Sequence, residues 1–335
     1  MHSRAFDRHL IALLTSAALL AAAGDASAQA VNAAVEAAPD ERVSNVDAAA
    51  IPSPGNGAGG GEASFSGAET ALASDALAEF AARVASAEET WELASLPPAT
   101  APVGVESILF PDERSQVTTT TAYPYRAIVL ITFTGGRCTG WMYGPDVVAT
   151  AGHCVHSGGA AGSWQTNVVV HPGRNGAASP FGSCSAQALH SVIGWTRDRD
   201  ERHDYGAIKL NCDIGNTTGW FGLWWQGAAL DGTGTEISGY PGDKPLENWR
   251  SLDQIRVSET DQAFYFNDTL GGMSGSPVFT VRPAGSPWCV GHCALGIHAY
   301  GLHGSTPHAD HNHGTRFTQR KFENLIFWRN LPAVS

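Results

Sequence analysis

The sequence predicts an all-β fold. From residue 127 onward, short runs rich in β-branched and aromatic residues are separated by Gly, Pro, Asn and Asp, as is typical of strands joined by turns. Many short strands without intervening helices favour β-barrels or a β-sandwich. The runs cover residues 127–133, 147–151, 167–171, 207–210, 236–238, 254–258, 277–281, 294–299 and 315–318.

One short helix is expected to close the chain. Thr318 can cap its first turn, and Phe322, Leu325 and Ile326 would then face the core. At 335 residues the chain is too long for one small domain. This length fits a precursor in which a removable segment precedes two β-barrels.

The first 30 residues have the features of a secretion signal. Arg4 and Arg8 precede an apolar run from Leu10 to Ala23, and residues 26–30 offer two cleavage sites between small residues. The apolar run is too short to span a bilayer comfortably. We therefore expect export from the cell and no membrane partner.

Residues 31–106 are expected to form an acidic, Ala-rich propeptide. Their first part, 31–67, is rich in Ala, Gly, Pro and Ser and predicts a flexible spacer. Between residues 71 and 96, apolar side chains at alternating steps of three and four predict one amphipathic helix. It is either a plain surface helix or, as we favour, a helix that docks on the following domain through Leu77, Phe80, Val84, Ala87 and Trp91.

The acidic charge of the chain lies mostly in this N-terminal part. Residues 1–106 contain 14 Asp and Glu against four Arg and no Lys, whereas residues 107–335 contain 18 acids against 16 bases. The second part offers no basic excess to neutralise phosphates, which argues against nucleic acid as a partner. A preference for acidic substrates would have to come from a local pocket.

Three motifs supply a nucleophile, a base and a carboxylate. Gly-Gly-Met-Ser-Gly-Ser-Pro-Val at 271–278 lets the backbone fold tightly behind Ser274, so the N–H groups of Gly272 and Ser274 can form an oxyanion hole. Ala-Thr-Ala-Gly-His-Cys ends at 154 and contains His153, and His-Asp-Tyr-Gly begins at 203 and contains Asp204. A serine hydroxyl needs an imidazole base and a carboxylate that orients it. These motifs therefore predict Ser274 as nucleophile, His153 as general base and then acid, and Asp204 as its orienter.

These motifs, and others along the chain, resemble those of the bacterial glutamyl endopeptidases, serine proteases that cleave after Glu and, less well, Asp. The order His, Asp, Ser is that of the chymotrypsin arrangement. The resemblance runs from Ser107 to Trp328 and includes the motifs at 120–129, 138–142, 204–208 and 238–244. It implies a trypsin-like double six-stranded antiparallel β-barrel with a short C-terminal helix. It also implies a secreted monomer without a cofactor that acts on polypeptides with an acidic P1 residue.

The resemblance also places the start of the mature domain. Asp112-Glu113-Arg114 aligns with an Asp-Asp-Arg motif of the family, which puts the mature N-terminus at Ser107 and the domain at 107–335. The bond to be cut then follows Glu106. An enzyme specific for Glu could cut this bond itself, with its own propeptide as a partner.

Six cysteines lie after residue 106, an even number that suits an oxidising compartment. They allow 15 pairings, and none has the two-residue spacing of a structural zinc site. The resemblance implies the pairs Cys138–Cys154 and Cys289–Cys293, which leaves Cys184–Cys212.

Two readings of the P1 pocket remain open. Asp268 stands six residues before Ser274, where trypsin keeps the acid that binds Arg or Lys. Against that reading, Thr269 and His298 match the positions where glutamyl endopeptidases place a hydroxyl and an imidazole on the substrate carboxylate. The family also carries an Asp-Thr pair here, which implies that Asp268 turns away from the pocket, and it uses the mature N-terminal amine, here Ser107, near the same pocket.

Two further alternatives concern metal binding and loss of activity. His303, His308, Asp310, His311 and His313 crowd one segment. Imidazoles and carboxylates can bind zinc or copper, but an exposed Gly- and Pro-rich loop with scattered histidines is commoner, so we expect no metal. A catalytically dead homologue that only binds would normally lack a triad residue, and none is missing here.

Overall fold

The computed structural model describes residues 38–46, 64–65, 67, 78–86, 106–109 and 111–332. Strands dominate these residues, and the helices are short. The strands are β1 Arg42–Ser44, β2 Ser64–Phe65, β3 Ser115–Gln116, β4 Ile128–Phe133, β5 Gly136–Gly144, β6 Val147–Thr150, β7 Val169–Pro172, β8 Cys184–Val192, β9 Gly206–Leu210, β10 Gly222–Trp224, β11 Gly234–Gly239, β12 Trp249–Ser258, β13 Gln262–Tyr265, β14 Pro277–Arg282, β15 Gly291–Tyr300 and β16 Asn312–Arg316.

The helices lie before, between and after the strands. Residues 78–86 form a helix that we call α1. Three turns of 3₁₀ helix comprise Tyr125–Ala127, Gly152–Cys154 and Glu201–His203. The remaining helices are α2 Ile193–Thr196, α3 Gly215–Thr218 and α4 Gln319–Arg329.

Two closed six-stranded antiparallel barrels confirm the predicted fold class. The first barrel runs in the order β8-β7-β4-β5-β6-β9 and closes because β8 also pairs with β9. The second runs β14-β11-β12-β13-β16-β15 and closes through β14 and β15. Each strand therefore pairs with two neighbours within its barrel, although the ends of some strands extend beyond these pairings.

Aromatic side chains fill the contact between the barrels. Trp141 on β5 lies 5.7 Å from Phe221 and 6.4 Å from Phe317 between ring centroids. Phe221 in turn lies 5.1 Å from Phe279 on β14, edge to face. All four rings are buried, so this cluster joins the two barrels and fixes the cleft that runs between them.

The closing helix α4 forms as the sequence predicts. The Thr318 hydroxyl caps it by accepting a hydrogen bond from the backbone N–H of Lys321. Phe322 and Leu325 are buried, whereas Ile326 is only partly buried. The sequence analysis missed Trp328, which is 1% exposed and packs 5.8 Å from the ring of Tyr205.

The described parts of residues 31–106 contact the barrels. Strand β1 pairs antiparallel with β8, and β2 pairs with β10. The expectation of a flexible spacer is therefore wrong for these two stretches, because unpaired backbone groups on neighbouring strands offer partners that composition does not reveal.

Helix α1 packs on the second barrel. Phe80 is buried, and the Val84 side chain lies against Gly234 of β11. The Arg83 guanidinium lies 3.4 Å from the buried carboxylate of Glu236. Residues 1–30, Leu77, Ala87 and Trp91 lie outside the described residues, and in the part of the chain that is described no helix has the length and apolar character needed to cross a membrane.

Three disulfides connect the six cysteines. Cys138–Cys154 ties β5 to the 3₁₀ turn that contains His153. Cys184–Cys212 ties the start of β8 to the segment after β9, and Cys289–Cys293 closes a short loop that ends within the first residues of β15. The Cα atoms of the three pairs are 6.0, 6.1 and 6.1 Å apart, within the usual range.

Candidate active site

His153 and Asp204 form a close pair in the first barrel. The buried Asp204 carboxylate accepts the Nδ1–H of His153 at 2.7 Å through Oδ2 and the backbone N–H of the same residue at 2.7 Å through Oδ1. Gly152 allows this approach, because a Cβ there would lie 2.8 Å from Asp204 Oδ1. Burial opposes protonation of His153, but the carboxylates of Asp204 and Glu106 outweigh it and raise the pKa of His153 above its ordinary value.

The loop that carries Ser274 joins β13 to β14 in the second barrel. Gly272 has a φ of +104° and Gly275 a φ of +88°. A Cβ at Gly272 would lie 2.6 Å from the Tyr240 carbonyl oxygen. Thr139 of the first barrel supports the loop, since its hydroxyl donates to the Gly272 carbonyl and its N–H to the Ser274 carbonyl, each at 2.8 Å.

His153 and Ser274 line the same cleft. The cleft has a volume of about 550 Å³ and opens between the barrels. Its wall also includes Ser157, Trp195, Arg199, Glu201, Tyr300 and His303. The three residues of the predicted triad are thus brought to one place from two barrels.

Glu106 occupies this cleft in the uncleaved chain. Its side chain is buried, and its carboxylate accepts a hydrogen bond from the Ser274 hydroxyl through Oε1. Glu106 Oε1 also lies 3.8 Å from His298 Nε2. Burial raises the pKa of Glu106 to about 7. A carboxylate therefore lies beside Ser274, the predicted nucleophile.

Asp268 turns away from the cleft. Its buried carboxylate accepts the backbone N–H of Leu109 at 2.6 Å and that of Glu113 at 2.7 Å. Burial raises the pKa of Asp268 to about 7. The side chain therefore anchors the segment that follows Glu106, and both carboxylate oxygens already have donors.

Thr269 and His298 are buried donors beside the cleft. Neither the Thr269 hydroxyl nor His298 Nε2 has a hydrogen-bond partner among the described residues. His298 Nδ1 lies 2.8 Å from the hydroxyl of Tyr265. Burial, together with His313 and His153, holds the pKa of His298 well below its usual range. The imidazole is therefore neutral, and a hydroxyl that donates to Nδ1 leaves the proton on Nε2.

Ser107 is held next to these donors. Its backbone N–H donates to the side-chain oxygen of Asn312 at 3.0 Å. Its carbonyl accepts the side-chain amide of Asn312 at 2.6 Å and the backbone N–H of Thr269 at 3.2 Å. The predicted mature N-terminus thus lies against the residues predicted to form the P1 pocket.

The histidine-rich segment is only partly the exposed loop that the sequence suggests, because residues 304–306 and 309 are exposed whereas its last two histidines are buried. His313 is fully buried and His311 is 8% exposed. The reason is that β16 contains His313 and pairs with β13 on one side and β15 on the other. Burial lowers the pKa of His313 to about 4.

A comparison with protein-family models identifies the family to which the chain belongs. The trypsin family model matches residues 115–307, which contain His153, Asp204 and Ser274. This chain is a serine peptidase of the trypsin family. Its substrates are polypeptides.

Relatives of this trypsin-family chain include bacterial proteases. It is 45% identical over 234 residues to the glutamyl endopeptidase of Bacillus licheniformis, covering 70% of this chain and 72% of that protein. It is 38% identical over 232 residues to the extracellular metalloprotease of Bacillus subtilis, covering 67% and 70%. A solved structure of a Glu endopeptidase in complex with MPD is 28% identical, with a TM-score of 0.60 over 67% of this chain and 100% of that one.

Sequence reasoning missed three residues that hold the predicted site residues of this trypsin-family chain in place. The Tyr300 hydroxyl donates to Asp204 Oδ2, Tyr265 contacts His298, and Asn312 holds Ser107. No local pattern marks them. Tyr265 and His298 meet because their strands, β13 and β15, flank the same strand β16.

In the pH profile of kcat/KM, Tyr300→Phe is expected to move the loss of activity at low pH to a higher pH by roughly half a unit. The lost hydroxyl leaves the charge on Asp204 less dispersed, which raises the pKa of His153 further. Only the neutral imidazole accepts a proton, so activity disappears as pH falls through this pKa, and the variant loses activity at a higher pH. A pH profile measures the shift. Tyr143→Phe, which removes a buried hydroxyl without a described partner, is the control, and an unshifted profile in Tyr300→Phe would contradict the role.

Proposed function

We propose that this chain is the precursor of a secreted endopeptidase that hydrolyses peptide bonds after Glu and, less well, Asp. The observation that carries the proposal is the pair of buried donors, the Thr269 hydroxyl and His298 Nε2, without a partner among the described residues. A buried donor without a partner is costly, and a substrate carboxylate has acceptors for both. The 45% identity to the glutamyl endopeptidase of Bacillus licheniformis supports the same specificity.

In this mechanism, Ser274 Oγ attacks the carbonyl carbon of the scissile bond while His153 takes the hydroxyl proton. Asp204 holds the Nδ1–H of His153 and stabilises the imidazolium. The carbonyl oxygen becomes an oxyanion held by the N–H groups of Gly272 and Ser274.

The tetrahedral intermediate then collapses. The C–N bond breaks as His153 returns its proton to the leaving amine, and the acyl group stays on Ser274. A water molecule attacks this ester with His153 again as base. The acid product leaves, and the Ser274 hydroxyl is restored.

The position of Asp268 argues against cleavage after Arg or Lys. A basic P1 side chain needs an anionic partner at the base of its pocket, and both oxygens of Asp268 are bonded to backbone N–H groups. An acidic P1 side chain instead needs donors, because a carboxylate buried without partners is destabilised by several kcal/mol.

We further propose that residues 1–30 are a signal peptide, 31–106 a propeptide and 107–335 the mature enzyme, with the cut after Glu106. Support comes from the Glu106 carboxylate, which lies in the cleft 3.8 Å from His298 Nε2. Strand β1, strand β2 and helix α1 dock on the barrels as a propeptide would. After the cut, Asn312 would hold the new amine of Ser107 beside the pocket.

Secretion and a monomeric state complete the proposal. Three disulfides suit an oxidising compartment, and the Bacillus subtilis relative is named as extracellular. One chain supplies all three triad residues and both walls of the cleft, so the site needs no second copy.

The function is tested by digesting a denatured protein and sequencing the new termini. We expect cuts after Glu, fewer after Asp, and the same pattern from Asp268→Asn, because this carboxylate does not reach the substrate. Wild-type cleavage after Arg or Lys, abolished in Asp268→Asn, would contradict the proposed specificity.

Glu106→Gln is expected to slow maturation by at least about tenfold, because a neutral amide pairs less well with the donors of the P1 pocket. N-terminal sequencing of the secreted protein measures the product, which should begin at Ser107 in the wild type. Glu79→Gln, at an exposed position of α1, is the matched control and should mature normally. A wild-type start far from Ser107 would refute the boundary.

A further inference from the structure

We propose that Glu201, His303, His308 and His313 form a binding site for a divalent transition metal ion, with zinc the ion that suits these donors best. One ligand atom from each residue lies within 4.8 Å of the others. Three imidazoles and a carboxylate form a donor set that zinc takes in tetrahedral geometry. The second group of potential metal ligands among the described residues consists of His153, Cys138 and Cys154. These two cysteines are joined in a disulfide and offer no thiolate to a metal ion.

The spacing of the donor atoms fits a shared ion. Glu201 Oε2 lies 3.0 Å from His303 Nε2 and 3.8 Å from His313 Nε2. Ligands bound tetrahedrally to zinc at about 2.0–2.1 Å are roughly 3.3 Å from one another. Small side-chain rotations therefore suffice to place all four donors around one ion.

His313 provides an independent observation. Its side chain is fully buried, yet neither ring nitrogen has a hydrogen-bond partner among the described residues. A histidine core residue that serves only packing normally bonds at least one nitrogen. The nitrogen Nε2 instead faces the Glu201 carboxylate across a gap that a metal ion would fill.

His303 has more acceptors around it than a neutral ring can use. Its Nδ1 lies 3.1 Å from the Gly301 carbonyl oxygen and its Nε2 lies 3.0 Å from Glu201 Oε2. A neutral imidazole carries one N–H. If Nδ1–H of a neutral ring donates to the carbonyl, the lone pair on Nε2 faces a carboxylate, and either a proton on Nε2 or a metal ion shared by the two groups relieves the repulsion. Histidine ligands of zinc commonly donate their other N–H to a carbonyl in this way.

Aromatic rings hold the imidazoles in place. The Phe264 ring lies 4.8 Å from that of His308 and 5.1 Å from that of His313. His313 also stacks on Tyr300 at 5.3 Å, and the hydroxyl of Tyr300 donates to Asp204. These rings cover one side of the imidazole cluster and limit the motion of its side chains, whereas Glu201 and His303 face the cleft.

The site would join the two barrels. Glu201 lies in the 3₁₀ turn that precedes Asp204 in the first barrel, whereas His313 lies on β16 of the second. Glu201 and His303 also form part of the cleft wall. A bound ion would therefore clamp one wall of the cleft across the barrel interface, and we expect it to raise the melting temperature.

The test uses the full chain with Ser274→Ala, whose four donors are unchanged and whose self-digestion is prevented. Metal-free protein is titrated with Co²⁺, and tetrahedral coordination is read from its visible d–d absorption. Competition with Zn²⁺ gives the zinc affinity, and melting temperatures are measured with and without Zn²⁺. We expect one ion per chain and a higher melting temperature. These readouts do not depend on the proposed protease specificity.

Two further variants locate the site. Because loss even of an outer partner weakens metal affinity about 10- to 100-fold, His308→Ala and Glu201→Gln should each weaken zinc binding at least tenfold. His311→Gln is the matched control, since this neighbouring histidine bonds Asp310 and should leave the affinity unchanged. No Co²⁺ spectrum in the parent chain, or an affinity that neither variant changes, would overturn the proposal in favour of an imidazolium and carboxylate pair between His303 and Glu201.

Discussion

Ser274→Ala is expected to lower kcat for peptide hydrolysis by about 10⁵- to 10⁶-fold while the fold stays intact. The change removes the oxygen that forms the acyl bond, and neither His153 nor Asp204 can replace it, because nucleophile and base act as a unit. The lost hydroxyl is small, and its contact in the full chain is with Glu106, which the proposed maturation removes. Turnover of a peptide substrate and labelling with a serine-directed fluorophosphonate measure the loss.

The wild-type enzyme and the Ser274→Ala variant must both be compared in their mature forms. Under the proposed self-processing, the variant would keep residues 31–106, so tagged wild-type enzyme is used to cut them off and is then removed. Ser157→Ala is the matched control, because Ser157 also lines the cleft but its hydroxyl accepts the N–H of Ser163. We expect the control to retain activity within a few-fold. A folded Ser274→Ala protein with near-normal turnover would show that another residue is the nucleophile.

His298→Ala is expected to lower the ratio of kcat/KM for Glu over uncharged P1 substrates by about 10- to 1,000-fold. The change leaves the bound carboxylate desolvated and short of one donor, a loss of about 1.4–4 kcal/mol in discrimination. Uncharged substrates make no use of His298 Nε2, so their kcat/KM should fall much less. Paired ester or peptide substrates that differ only at P1 give the ratio directly.

Because His298 is fully buried and bonded to Tyr265, its loss also costs stability, and a control must separate the two effects. His292→Ala removes an imidazole from the same strand, where His292 packs 5.1 Å from the Tyr123 ring and outside the cleft. It should lower the melting temperature without changing the ratio. An unchanged ratio in folded His298→Ala would remove His298 from the pocket.

The sequence by itself determined the parts that depend on local chemistry. Short β-rich runs indicated the strands of the barrels. The glycines around Ser274 indicated a tight turn, because glycine readily adopts the positive φ found at Gly272 and Gly275. The order of His153, Asp204 and Ser274 indicated the chemistry. The Thr318 cap and the apolar spacing after it indicated α4.

Only the tertiary structure decided how groups far apart in the chain face one another. Tyr265 contacts His298, and Tyr300 reaches Asp204, because closed barrels set the register of strands that no local pattern encodes. The Asp268 side chain likewise turns away from the cleft because its carboxylate accepts the backbone N–H groups of Leu109 and Glu113, which lie 159 and 155 residues away in the chain.

Long-range contacts also decided the structure of the N-terminal segment and of the histidine cluster. Composition indicated a flexible spacer, yet residues 42–44 pair with β8, since strand pairing depends on which backbone groups remain open in the folded domain. His313 looks like one more loop histidine in the sequence, but pairing of β16 on both sides buries it against Glu201. Local propensity sets which residues form strands and turns, whereas burial and long-range pairing set what each side chain meets.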